Sequence, residues 1–157
     1  GLKRQKHYWH ELPGLNYRLT NIQAAIGCAQ LEKIDLISSL RKKVYKSYLS
    51  ILNNQKGLEF QSINSSVNLV MWAVGVKIDK NYYPQGRDTL MAQMTEIGIE
   101  TRPGFYTPYS LKYFHSQKLE NSEDLSINII ILPTFPTLSE NEIDFIGHSL
   151  LSFRRKH

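Results

Sequence analysis

The stretch GLNYRLTNIQAAIG, residues 14–27, sets three polar side chains, Asn16, Tyr17 and Arg18, directly before an apolar helical run. Thr20 and Gln23 have the Thr-x-x-Gln spacing of a capping box. Thr20 therefore satisfies the first free N–H groups and leaves the three polar residues out of the cap. Partial positive charge collects at a helix N-terminus. An amide and a guanidinium beside that end suit an anion, phosphate above all. The same residues also suit a plain loop, in which Asn16 bonds its own backbone and Arg18 meets a surface carboxylate. Composition alone leaves both readings open.

Other candidates for chemistry are weaker. Lys77 is embedded in an apolar strand-like run. A lysine that carries a cofactor needs a pocket and a depressed pKa, whereas one near a strand end ordinarily reaches out to water. His7 and His10 stand three apart, but no further ligand has metal-site spacing. No Gly-x-Ser-x-Gly or phosphate-loop motif occurs. The single cysteine, Cys28, lies among Ala24, Ala25 and Ala29 and reads as a small buried residue. Gly27 in the same small-residue run implies close approach by another helix or subunit, because glycine within a helix costs about 1 kcal/mol relative to alanine.

These residues need elements to position them. From Thr20, apolar residues recur at steps of three and four through Ile22, Ile26, Ile37, Val44, Tyr48 and Ile51. That period predicts one helix, or two nearly collinear helices, running to about Leu52, on the order of 50 Å in all. Asn53, Asn54 and Gly57 stop it. LEFQSI and VNLVMWAVGVKI read as strands, the second with Val70, Trp72, Val74, Val76 and Ile78 on one face. RDTLMAQMTEI reads as a helix ended by Gly98, and IETRPGFYTP as a strand broken by its prolines and glycine. SLKYFHSQ and SEDLSI read as short helical turns, and NIIILPTFP as a buried strand. The closing helix starts at a second capping box, Ser139 and Glu142. The order predicts an α+β fold, a long N-terminal helix followed by a small, mostly antiparallel sheet packed with helices. It divides into residues 1–56, loop and long helix, and 57–157, the small α+β domain.

The 157 residues suffice for one domain with a core, and no stretch is long and apolar enough to span a bilayer. The N-terminal stretch lacks the apolar region of a secretory signal, so a cytoplasmic location is expected, without membrane association. The net charge of +5 lies in three short runs, Lys3-Arg4-Lys6, Arg41-Lys42-Lys43 and Arg154-Arg155-Lys156. No nucleic-acid-binding motif accompanies them, so they read as solvated surface, with a small basic nucleic-acid-binding domain as the rival.

The motifs themselves carry a resemblance. YWHELPGLNYRLTNIQAAIGCAQLEKID resembles a segment typical of the DegT/StrS family of sugar aminotransferases, which use pyridoxal phosphate. GIETRPGFYTP and LPTFPTLSENEIDFI resemble two further segments of that family, in the same order, so the resemblance spans essentially the whole chain. Within the family it is greatest to the perosamine-synthetase branch, whose members aminate a GDP-linked 4-keto-6-deoxy sugar with glutamate for polysaccharide (O-antigen) sugars.

The resemblance implies the small C-terminal domain of a fold-type-one aminotransferase, working as a homodimer or paired with an N-terminal half. It implies that Asn16 reaches the cofactor phosphate in a neighbouring subunit, with Arg18 beside it. Arg102, Phe105 and Tyr106 match the stretch near the nucleotide-sugar pocket, and Tyr109 stands where the family often has a histidine. The family's cofactor-bearing lysine and the aspartate that pairs with the cofactor ring lie upstream of the matched segments. The chain alone is therefore expected to be inactive, with no catalytic residue and no metal site of its own. The rival within the same family is a non-catalytic sugar-nucleotide-binding or dimerisation module.

Overall fold

Thr20 and Gln23 form the expected capping box: Gln23 N donates to Thr20 Oγ1 at 3.3 Å and Thr20 N to Gln23 Oε1 at 2.9 Å. Helix α1, Asn21–Leu31, begins there. A turn at Glu32 and Lys33 separates it from α2, Ile34–Leu52. A computed structural model describes residues 15–111 and 117–155, and the chain divides between Ile34 and Asp35 into two units. Among the described residues of the first unit, α1 buries no side chain. Cys28 is exposed, not buried as its small neighbours suggested. No atom approaches the position a side chain at Gly27 would take. Small residues admit a close neighbour but do not supply one, and none is present among the described residues of this unit.

The second unit is built on a four-stranded sheet of β1, Leu58–Phe60, β2, Val74–Ile78, β3, Arg102–Pro103, and β4, Ile129–Leu132, in the order β1-β2-β4-β3. Every pairing is antiparallel, with Val76 opposite Phe60 on one side and Ile130 on the other. Alternation sends Val74, Val76, Ile78, Ile130 and Leu132 into the core. There they meet Val44, Tyr48 and Leu52 of α2, Leu90 and Met94 of α3, Gly86–Glu96, and Ile143, Ile146 and Leu150 of α5, Glu140–Ser152. The second capping box also forms, with Glu142 N on Ser139 Oγ at 3.3 Å and Ser139 N on Glu142 Oε2 at 2.8 Å. A short helix α4, Glu120–Asn128, leads directly into β4.

Two expectations about the elements need correction. The run from Val67 forms a strand only from Val74, and Val70 and Trp72 are 78% and 60% exposed instead of sharing the buried face. The ladders explain this, because β1 and β4 pair only with residues 74–78. A bend at Trp72, whose N–H donates to Val70 O, ends the alternation. SEDLSI lies within a helix of nine residues rather than a short turn. Most of SLKYFHSQ falls outside the described residues, as do His7, His10 and the first basic run.

Gly147 sits inside α5 where that helix crosses α2. A Cβ there would stand 2.9 Å from Ile51 Cγ2. Gly147→Ala is expected to lower stability by about 1–2 kcal/mol, overpacking outweighing the helix-propensity gain. In urea denaturation, the same substitution made beside Ile51→Ala should lose that penalty. An equal cost in both backgrounds would refute the contact as its cause.

Candidate cofactor and substrate residues

In the first unit, Asn16 Oδ1 accepts from the backbone N–H of Arg18 at 3.1 Å and from its Nε at 3.4 Å. Asn16 thus does bond its own backbone, as a plain loop requires. Among the described residues its Nδ2 makes no hydrogen bond and no carboxylate pairs with Arg18. Both residues are exposed. Among the described residues the Asn16 amide donor and the Arg18 Nη groups have no hydrogen-bond partner, and donors of this kind fit a phosphate.

In the second unit, the remaining candidates fall on one segment. Arg102 pairs in register with Ile131, and Ile131 with Gly75, so its side chain rises from the sheet face opposite the core. Its guanidinium lies 3.9 Å from Glu100 Oε1, with both side chains more than three-quarters exposed. Such a pair is worth little, so Arg102 is available to a ligand. After Pro103 the chain folds tightly over Ile129. A Cβ at Gly104 would stand 3.0 Å from Ile129 Cβ, which is why a glycine serves there. Phe105 is 76% exposed, and its ring centroid lies 6.1 Å from that of Trp72. Tyr106 and Tyr109 are also exposed, Tyr109 on a 3-10 turn, Pro108–Ser110.

One buried threonine ties this segment down. Thr107 caps the 3-10 turn, accepting from Ser110 N at 3.3 Å, and its hydroxyl donates to Glu123 of α4. Thr101, directly before Arg102, buries a hydroxyl with no hydrogen-bond partner among the described residues. Such a group costs about 1–3 kcal/mol.

Lys77 lines an open cleft of about 480 Å³ with Glu59, Asp79 and Asp124. Its Nζ lies 2.7 Å from Asp124 Oδ2 and 4.0 Å from Glu59 Oε2. The hydrogen bond to Asp124 raises its pKa, and the same bond lowers that of Asp124. A cofactor-bearing lysine needs the opposite shift, so Lys77 does not fit that role. Among the described residues, no group of three or more His, Cys, Asp or Glu is placed to hold a metal. No helix there is long and apolar enough to cross a membrane.

Comparison with protein-family profiles matches residues 1–151 to the DegT/DnrJ/EryC1/StrS aminotransferase family. The chain belongs to that family. It is 34% identical over 155 residues to a GDP-perosamine synthase of Escherichia coli O157:H7, an alignment that covers 98% of this chain and 41% of that protein. It thus spans about two-fifths of the length of that relative. Among solved structures it superposes on DesV of S. venezuelae, in complex with a ketimine intermediate, with a TM-score of 0.79 at 21% identity. That match covers 98% of this chain and 42% of DesV. It also superposes on an E. coli GDP-4-keto-6-deoxy-D-mannose-3-dehydratase with bound hydrated PLP, with a TM-score of 0.74 at 25% identity, over 91% of this chain and 38% of that one. These matches agree with the α+β fold of an aminotransferase segment.

Three features around the candidate residues were not foreseen from sequence. Trp72 meets Phe105 instead of joining the core. Arg41, read as part of a solvated basic run, donates to Trp72 O at 3.0 Å and Thr134 O at 3.2 Å and so holds the Trp72 bend. The Thr107–Glu123 bond ties the aromatic segment to α4. Each joins residues far apart in the chain, and no local pattern announces it.

Proposed function

We propose that this chain is the C-terminal portion of a PLP-dependent nucleotide-sugar aminotransferase of the perosamine-synthase kind. The observation that carries the reading is the 34% identity to a GDP-perosamine synthase. It extends over 98% of the chain and so includes both the Asn16 stretch and the Arg102–Tyr109 segment. Bound in the complete enzyme, the cofactor would supply the amino-group transfer chemistry that converts a keto sugar to an amino sugar and glutamate to its 2-oxo acid. Asn16 donates its free Nδ2 to the phosphate of a cofactor held in a neighbouring subunit, and Arg18 adds positive charge there. Arg102 meets the diphosphate of the sugar nucleotide, a group suited to its planar fork of donors. Phe105 and Tyr106 offer ring faces, and Tyr109 offers a hydroxyl in place of the family's histidine. The chain acts in the cytoplasm as part of a homodimer or with an N-terminal half. The exposed Leu15, Leu19, Ile22 and Ile26 around the start of α1 support a subunit contact there. On this reading the chain alone is inactive, because the family's cofactor-bearing lysine lies upstream of the matched segments and Lys77, paired with Asp124, does not stand in for it.

Asn16→Asp tests this reading in the complete enzyme carrying this chain. It sets a carboxylate against a phosphate and is expected to weaken cofactor affinity by about 100-fold or more. Cofactor absorbance titration reads the change, and far-ultraviolet circular dichroism checks that the helices persist. Unchanged affinity would remove Asn16 from the phosphate site.

A further inference from the structure

Helix α4 is built inside out. Its apolar residues Leu125 and Ile127 are 44% and 48% exposed, whereas Ser126 and Asn128 are buried. Apolar packing therefore does not hold this helix, and three polar contacts from three other elements do. Lys77 of β2 pairs with Asp124 at 2.7 Å, and Asn128 Nδ2 braces the same carboxylate at 2.7 Å. Arg87 of α3, itself buried, donates to the backbone carbonyl of Ser126. Thr107 donates to Glu123. All three reach residues 123–126, a single turn.

Thr107 is buried, while Phe105, Tyr106, Pro108 and Tyr109 around it are exposed. Its hydroxyl accepts from Ser110 N, and its carbonyl accepts from Ser110 N at 3.1 Å and Ser110 Oγ at 2.8 Å. The fold of the Tyr109-bearing turn thus converges on Thr107, and Thr107 converges on Glu123. We propose that α4 is the strut that positions the aromatic segment 105–109, with Glu123 the positioning residue acting through Thr107. This rests on the reading that the segment meets a sugar nucleotide. Glu123 touches no ligand in this arrangement; it sets where the Tyr109 hydroxyl and the Phe105 and Tyr106 rings stand. Because the anchors are polar, the strut depends on individual hydrogen bonds and not on buried area.

The test measures amide hydrogen exchange at Ser110 and the affinity for GDP as probe, in the complete enzyme carrying this chain. Glu123→Ala and Thr107→Val are each expected to raise Ser110 exchange by about tenfold and to weaken GDP by a similar factor, the loss of one charge-assisted hydrogen bond. Exchange in β2 and β4 should stay at the parent level, which separates local release from global unfolding. Thr107→Ser keeps the hydroxyl and should match the parent. Glu120→Ala, an exposed acid in the same first turn, should leave Ser110 exchange unchanged. Parent-like exchange in Glu123→Ala would overturn the proposal, as would an equal effect from Glu120→Ala. If the parent binds no GDP while Ser110 exchange still follows Glu123, the functional reading fails and the strut stands.

Discussion

Tyr48→Ala is expected to lower the unfolding free energy by about 3–5 kcal/mol, and Tyr48→Phe by about 1 kcal/mol. The side chain is fully buried among α2, the sheet and α5, and its hydroxyl donates to Pro133 O at 3.0 Å where β4 leaves the sheet. Alanine removes the ring and leaves a cavity; phenylalanine keeps the ring and leaves only the Pro133 carbonyl without its donor. Burial, with help from Glu142, pushes the phenol well above its ordinary value of 10.0. Burial likewise lifts Tyr83 to about 12. Both phenols therefore stay protonated in the folded chain after the unfolded chain has begun to lose those protons. Their contribution is complete below pH 10 and is lost as pH rises above it. Urea denaturation across that range should show stability falling, less steeply in Tyr48→Phe. A Tyr48→Ala cost below 1 kcal/mol, or a Tyr48→Phe cost equal to it, would contradict this account of the core.

How far the sequence foretold this arrangement depends on whether the deciding contact is local. Both capping boxes were legible, because Thr20 reaches only to Gln23 and Ser139 only to Glu142. The burial of Val44 and Tyr48 was legible for the same reason, since one helix repeats its own period, although Leu52 and not Ile51 is the third buried residue. Trp72 and Val70 kept the alternation of a strand but had no strand beside them, and pairing, unlike period, is a property of two segments. Cys28 looked buried because small residues admit a neighbour, yet none of the described residues of its unit covers α1. The segment SEDLSI hid a longer helix because α4 is held by Lys77, Arg87 and Thr107, from 16 to 47 residues away in sequence, and shows no apolar stripe. The candidate site was legible only as motif. Arg102, Phe105, Tyr106 and Tyr109 are exposed, so no core periodicity marks them, and their shared segment was apparent from the resemblance alone.

The contact between Arg87 and Asp88 leads to a less intuitive expectation, that deleting the more exposed partner does the greater damage. The Arg87 side chain is 5% exposed and that of Asp88 83%. Asp88 Oδ1 receives both Nη2 at 2.7 Å and Nε at 2.8 Å, and Nη1 donates to Ser126 O. Arg87→Met keeps most of the buried volume and returns Asp88 to water. It leaves the Ser126 carbonyl without its donor, at a cost of about 1–2 kcal/mol. Asp88→Ala leaves a buried guanidinium with no countercharge and also removes a favourable charge from the first turn of α3. That substitution is expected to cost about 2–4 kcal/mol, because the guanidinium stays buried while its only carboxylate partner among the described residues is removed. Combining the two removes the stranded charge, so the double variant should be more stable than Asp88→Ala alone. Urea denaturation of the three variants decides the matter. A surface-like cost below 0.5 kcal/mol for Asp88→Ala, or a double variant weaker than either single one, would mean that the Ser126 carbonyl suffices for the guanidinium. In that case the charge-assisted bond from Arg87 to Ser126 O would hold α3 to α4 without help from Asp88.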